Sequence, residues 1–260
     1  MNQSSSEHSS STLPKTDSDA YRLEQEHVHK VYNEIAHKFS DSRYKPWPQV
    51  VEFLQTFPGA SYVLDIGCGN GKYLNVRKDL LMIGCDRSEG LLEICRERHY
   101  QVFLSDCMAI PVPENTFDGV ICIAVIHHMS TDNRRLKALK EIVRIMKVNG
   151  QALVTVWAKE QEINEKKSTY IRKSVKSMTS SENESSIATD NELAVHTPRT
   201  KFQRSDCLVP WIKLTATYLR YCHVFVQNEL DNLLKQLSNI EILKSYNDDG
   251  NWCTIFRKTA

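Results

Sequence analysis

Tyr62-Val-Leu-Asp-Ile-Gly-Cys-Gly-Asn-Gly-Lys72 is an apolar run entering a glycine-rich turn, with an acid, Asp65, just ahead of the turn. Leu80-Leu-Met-Ile-Gly-Cys85 is a second apolar run, closed by Asp86, and Gln101-Val-Phe-Leu-Ser105 is a third, closed by Asp106. Strand, glycine turn, helix, strand and acid is the layout of a nucleoside-binding α/β domain. A glycine turn standing alone serves tight packing in many α/β proteins. The acids that follow argue for a ligand instead. Asp86 can accept hydrogen bonds from both ribose hydroxyls, and Asp106 with its neighbouring amide can meet an adenine edge.

The spacing Gly67-x-Gly69-x-Gly71 lacks the extra residue that the dinucleotide fingerprint leaves before its third glycine. A dinucleotide has a pyrophosphate to seat at the helix N-terminus, whereas S-adenosylmethionine has none. The turn resembles motif I of the class I S-adenosylmethionine-dependent methyltransferases. That resemblance implies a Rossmann-like, mostly parallel seven-stranded sheet with helices on both faces.

Composition is that of an ordinary globular chain: 260 residues, 41% hydrophobic and 25% charged, enough for one domain with appendages. A net charge of +1 makes no global demand for nucleic acid, though it leaves room for a local basic surface. Eight cysteines are scattered without a C-x-x-C pair, several of them inside apolar runs. They read as reduced thiols of the cytosol or nucleus, with no disulfide framework and no metal site. There is no signal-like or membrane-length apolar run, so the chain reads as neither secreted nor membrane-spanning.

Residues 1 to about 20, polar and serine-rich, are expected to be disordered ahead of a single domain over 21–260. Helical periodicity runs from about Tyr21 to Ala36, stops at Pro46-Trp47-Pro48, and resumes over Gln49–Thr56. Strands are expected at about 61–66, 81–85, 101–105, 117–123 and 151–157, with helices over 71–78, 89–98 and 132–147. Residues of about 160–205 read as a flexible polar insertion. A helix over 229–236 and strands near 239–245 and 252–257 then close the sheet.

Val28-His-Lys-Val-Tyr-Asn-Glu-Ile-Ala36, Arg43-Tyr-Lys-Pro-Trp-Pro48, the glycine turn, Gly84-Cys-Asp-Arg-Ser88, Ala124-Val-Ile-His-His128, Val156-Trp157-Ala158, Leu208-Val-Pro-Trp211 and Arg220-Tyr221-Cys222-His223 occur together. This set resembles the eukaryotic wobble-uridine tRNA methyltransferases, over about 28–160 and 206–257, in the stand-alone form related to the last domain of an AlkB-homologue fusion. The resemblance implies methyl transfer from S-adenosylmethionine to the carboxylate of 5-carboxymethyluridine in the tRNA anticodon loop. It also implies a small zinc-binding activator subunit as partner. Asp65, Gly67, Gly69, Gly71, Asp86, Arg87, Asp106, Cys107 and Ala124 are then the cofactor set. Tyr32, His128 and Tyr221 are expected at the substrate.

A carboxylate is ionised near neutral pH, so the reaction needs positioning rather than a general base. The candidates to hold it are Arg43, His127, Arg220 and His223, since a guanidinium fork matches a carboxylate and histidine can assist. Other readings stand beside these. His128 can face inward on a backbone group, and Arg43 can be a solvated helix-end cation. Arg220 and His223, close to Arg199, Lys201, Arg204 and Lys213, can belong to a phosphate-binding stripe. Trp47 and Trp211 can stack on a splayed base or simply pack. Two departures from the family pattern are Asn149 in the turn before the fifth strand and Cys222 where a second aromatic is expected. They keep open a regulatory paralogue, or a methyltransferase of another carboxylic acid.

Overall fold

The computed structural model describes residues 12–42, 44–172, 193–213 and 216–260. Order begins before the expected boundary. Thr16 caps α1 (Asp17–Glu24) in a capping box, its side chain accepting from the Asp19 amide while the Asp19 carboxylate accepts from the Thr16 amide. That local chemistry corrects the assignment of residues 12–20 to a disordered tail. A single π-turn, Gln25–His29, joins α1 to α2 (Lys30–Ser42). Consecutive His27 and Val28 are both buried there, and His27 Nδ1 donates to the Leu219 carbonyl at 3.1 Å. Pro48 opens α3 (Pro48–Gln55), where its missing amide costs nothing.

The nucleoside-type core follows as β1 (Tyr62–Ile66), β2 (Leu81–Asp86), α4 (Glu89–Glu97), β3 (Val102–Leu104), β4 (Phe117–Ile123), α5 (Asp132–Ile145) and β5 (Met146–Trp157). The expected helix over 71–78 is absent. In its place are successive turns, with Leu74 donating to the Gly71 carbonyl and Val76 to the Tyr73 carbonyl. Gly71, at φ 76°, cannot open a helix, and the bonds that follow it close only i→i+3 turns. Asn149 takes φ 67°, as a left-handed turn residue should, and β5 shifts register against β4 between Phe117 and Gly119.

The polar insertion is not featureless at its flanks. It contains the pair β6 (Glu162–Ile163) and β7 (Lys166–Lys167), then α6 (Thr169–Arg172) and β8 (Ala194–Val195). Gln161 fixes this start by donating to the Ala158 and Gly250 carbonyls while accepting from Ser168. The centre of the insertion, 173–192, lies outside the described residues. Next come β9 (Asp206–Lys213), β10 (Ala216–His223), α7 (Glu229–Leu234), β11 (Ile240–Asp248) and β12 (Asn251–Lys258).

The main sheet has seven strands in the order β11-β12-β5-β4-β1-β2-β3, and β12 runs antiparallel to both neighbours. Strand alternation divides the core between its faces. Val120, Cys122, Ala152 and Val154 pack with α5 and α7, whereas Ile121, Ile123 and Leu153 pack with α3. A second sheet, β10-β9-β8, stands apart from the main one.

The N-terminal helices are fastened by a buried ion pair. Glu24 is fully buried and accepts from Arg134 Nε and Nη2, the Ser130 amide and the Ser130 hydroxyl. Replacing Glu24 by alanine strands the Arg134 guanidinium, with only the exposed Asp17 as an ionic partner. The expected cost is about 3–5 kcal/mol, the range for breaking one side of a buried pair. Urea denaturation checks it, as a lower midpoint at unchanged slope.

Candidate functional site

One cavity of about 900 Å³ runs from the glycine turn to the face of β9 and β10. At its first end the backbone itself demands glycine. Gly67 has φ 67° and Gly71 φ 76°; a Cβ on Gly67 would lie 2.3 Å from Val125 Cγ2, and one on Gly71 would lie 2.6 Å from Tyr100. Val125 reaches Gly67 because Ala124, at φ 60°, turns the chain out of β4. The Ala124 amide is tied to Thr155, at its carbonyl (3.0 Å) and hydroxyl (3.1 Å).

Asp86 holds the turn: Oδ2 accepts from the Gly69 amide and Oδ1 from the Ser88 amide, both at 2.8 Å. Each carboxylate oxygen keeps a lone pair for a ribose hydroxyl. Asp106 accepts from the Met108 amide at 2.9 Å and lies 3.9 Å from Arg87 Nε. Cys107 lines the cavity beside it. Asp65 is buried, and its Oδ2 has no hydrogen-bond partner among the described residues. Burial, opposed by Lys72 and assisted by Asp86, holds its carboxyl well above the usual carboxylate range.

At the second end the strand alternation of β10 sorts the expected residues. Arg220 and Cys222 line the cavity. Tyr221 and His223 turn away to the Asp206 carboxylate, which takes the Tyr221 hydroxyl and, at 2.9 Å, His223 Nδ1. His223 Nε2 meets Glu229 at 2.6 Å. Burial works against its charge, but the two carboxylates raise the imidazole above its ordinary value. His223 is thus a buried imidazolium between two acids and is not brought to the cavity. The same holds for the Tyr221 ring, although its carbonyl serves the site. Arg43 lies outside the described residues.

That carbonyl accepts from His128 Nδ1 at 2.7 Å, and His128 Nε2 meets the Tyr32 hydroxyl at 3.0 Å. Burial drops His128 to about 3, so it is neutral. Its neighbour His127 also lines the cavity and is pushed well below its ordinary value, first by burial and then by nearby positive charge. Arg220 is 6% exposed. It gives Nη1–H to the Tyr32 oxygen at 3.4 Å, its Nε is unpartnered, and it forms no ion pair among the described residues.

Sequence reasoning missed Trp157 and Tyr170 as cavity walls, 5.4 Å apart at their centroids. Tyr170 lay inside the supposed flexible insertion. Of the basic stripe, Arg199 reaches the cavity and lies 5.3 Å over the Tyr170 ring, whereas Lys201 is paired with Glu162. Trp47 and Trp211 both line the cavity, and Lys72 Nζ sits 4.9 Å over Trp47.

Comparison with known proteins agrees with this geometry. A family described as "Methyltransferase domain" matches residues 64–154. The tRNA (carboxymethyluridine(34)-5-O)-methyltransferase of Schizosaccharomyces pombe is 38% identical, over 90% of this chain and 97% of the relative. This chain belongs to that family. The tRNA (carboxymethyluridine(34)-5-O)-methyltransferase ALKBH8 of Macaca fascicularis is 40% identical over 95% of this chain and 46% of the relative. The chain spans less than half the length of this and other vertebrate relatives that it matches. Among solved structures, the CcbJ methyltransferase from Streptomyces caelestis superposes at a TM-score of 0.61, with 11% identity over 89% of this chain and 99% of that one. That likeness bears on the fold, which is the class I S-adenosylmethionine-dependent methyltransferase fold.

S-adenosylmethionine fits the residues present. The glycine cradle has no room for side chains at Gly67 and Gly71, Asp86 has oxygens for a ribose, and the orphaned Asp65 oxygen suits the cofactor's ammonium. The last point is testable. Burial raises the Asp65 carboxyl's pKa despite Lys72, and an ammonium beside it lowers that pKa again. Binding should therefore release a proton, and affinity should rise with pH until Asp65 ionises in the free protein. Calorimetry in buffers of different ionisation enthalpy should show the release, and Asp65→Asn should abolish it.

Proposed function

We propose that this chain transfers a methyl group to the carboxylate of 5-carboxymethyluridine at the tRNA wobble position, giving 5-methoxycarbonylmethyluridine. The observation that carries the reading is Arg220, a buried guanidinium at the cavity with no acid among the described residues to neutralise it. A buried cation without a counter-ion is costly, and an anionic acceptor group removes that cost. Family membership narrows the anion to the carboxymethyl group.

When bound, S-adenosylmethionine supplies a sulfonium methyl whose carbon–sulfur bond breaks as the ester carbon–oxygen bond forms. Asp65, the glycine turn, Asp86 and Asp106 hold the cofactor. Arg220 holds the carboxylate, with Tyr32 and the neutral His128 fixing the guanidinium. No side chain need take a proton, since the acceptor is already ionised. Trp157, Tyr170 and Trp211 shield the reacting groups from water. Arg199 and Lys72, at the cavity, suit the phosphates of an anticodon loop.

The small zinc-binding activator belongs to the same proposal. Support comes from β3, the end strand of the main sheet, and from exposed Leu81 and Leu104 on β2 and β3. All eight cysteines are free thiols, which suits the cytoplasm or nucleus. No helix among the described residues is long and apolar enough to cross a membrane.

The test supplies tritiated S-adenosylmethionine and tRNA from cells that cannot complete the wobble ester, with the chain alone and with its activator. Label recovered in a nucleoside ester and released by mild alkali is the expected result. Label in another nucleoside discards the substrate. Intact cofactor binding without any label points to a regulatory paralogue. In the same assay Arg220→Lys keeps the charge but loses the fork. Its kcat/KM should fall by about 10²–10³, as for loss of one preorganised donor, with cofactor affinity unchanged.

A further inference from the structure

The two cavity histidines are held in opposite tautomers. His128 gives Nδ1–H to the Tyr221 carbonyl, so its Nε2 is an acceptor and takes the Tyr32 hydroxyl proton. The Tyr32 oxygen then accepts from Arg220 Nη1. His127 is reversed. Its Nδ1 accepts the Trp157 backbone N–H at 3.2 Å, and a neutral ring that accepts at Nδ1 carries its proton on Nε2. Burial and the facing groups His128, Arg220 and His223 keep the ring neutral.

We propose that His127 Nε2–H is a second donor to the acceptor carboxylate, and that with Arg220 it forms a donors-only corner that selects a carboxylate over a carboxamide of the same shape. The proposal rests on the carboxymethyluridine reading and names what decides specificity at that site. A carboxylate is acceptor-only, with about four lone-pair sites, so every N–H in this corner finds a partner. A carboxamide brings an NH₂ that needs acceptors. Of the acceptors beside this corner, His128 Nε2 takes the Tyr32 O–H, the Tyr32 oxygen takes the Arg220 N–H, and Cys222 Sγ is only a weak acceptor. An amide nitrogen there would face donors and leave them unpaired, which is discrimination by an unfavourable contact. With no lone pair at Nε2, His127 acts as a donor and not as a general base.

The experiment uses the full chain saturated with S-adenosylhomocysteine and three anticodon stem-loops that differ only at C5 of the wobble uridine: carboxymethyl, carbamoylmethyl and unsubstituted. Fluorescence anisotropy should show the carboxymethyl RNA bound about ten- to a hundredfold tighter than the carbamoylmethyl RNA, the size of a mispaired charged hydrogen bond. The carbamoylmethyl RNA should bind no tighter than the unsubstituted one. His127→Gln, which adds an acceptor, should close that gap while leaving cofactor affinity as it was. In the wild type, kcat/KM for methyl transfer should show no inflection attributable to His127 between pH 6 and pH 8 (on the order of the working range). Equal binding of the two substituted RNAs overturns the proposal, as does an inflection near neutral pH that His127→Gln removes. If the carboxymethyl RNA is methylated yet the carboxamide binds equally well, this proposal fails while the substrate reading stands. If none of the three binds better than an unrelated RNA, the substrate reading fails with it.

Discussion

Glu24 is a carboxylate sealed from water, and the geometry of the cavity depends on it. Its oxygens are spent on Arg134 and Ser130, which binds α1 to α5 and to the short segment between His128 and α5. Held there, the chain makes its π-turn against β10, with His27 on the Leu219 carbonyl. That turn sets the phase of α2, so Tyr32 arrives between Arg220 and His128. A buried pair is a poor source of net stability, but it penalises every arrangement in which one partner is lost. Register is what it secures here.

The fold was legible where local pattern and tertiary need agree. β4 falls on 117–123 as its apolar run requires, and the acids Asp86 and Asp106 end or follow strands at the cavity. Legibility failed where they part. Residues 71–78 have helical length, but Gly71 is spent on the turn at φ 76° and the bonds after it close only i→i+3 turns. Thr16 and Asp19 order a tail whose composition suggests none, because a capping box needs only two polar side chains. At the site, proximity in sequence misled. Arg220, Tyr221 and His223 were grouped together, yet a strand sends alternate residues to opposite faces. Reading 216–223 as a strand would have separated Arg220 from His223 without any structure. The tautomer of His127 was beyond reach, since it depends on the amide of Trp157 from another strand.

Charge distribution gives the cavity its chemical direction. Asp86 and Asp106 line the cavity toward the glycine turn, with the buried Asp65 just ahead of that turn on β1, and Arg220 lines it on β10. Between them both histidines are neutral. A cationic cofactor and an anionic acceptor are thus each met by the opposite sign. The proposed reaction destroys charge: a sulfonium and a carboxylate become a thioether and an ester. A process that loses charge gains from leaving water, because the reactants lose more hydration than the transition state does. A charged histidine between the reactants would hold the carboxylate too strongly and oppose the approach of the sulfonium. Under the proposed reaction, burial that keeps His127 and His128 neutral favours transfer, and it leaves Arg220 as the single full positive charge that the described part of β10 presents to the cavity. In that reaction only Arg220 must let go of the product ester, whose neutral oxygens bind a guanidinium more weakly than a carboxylate does.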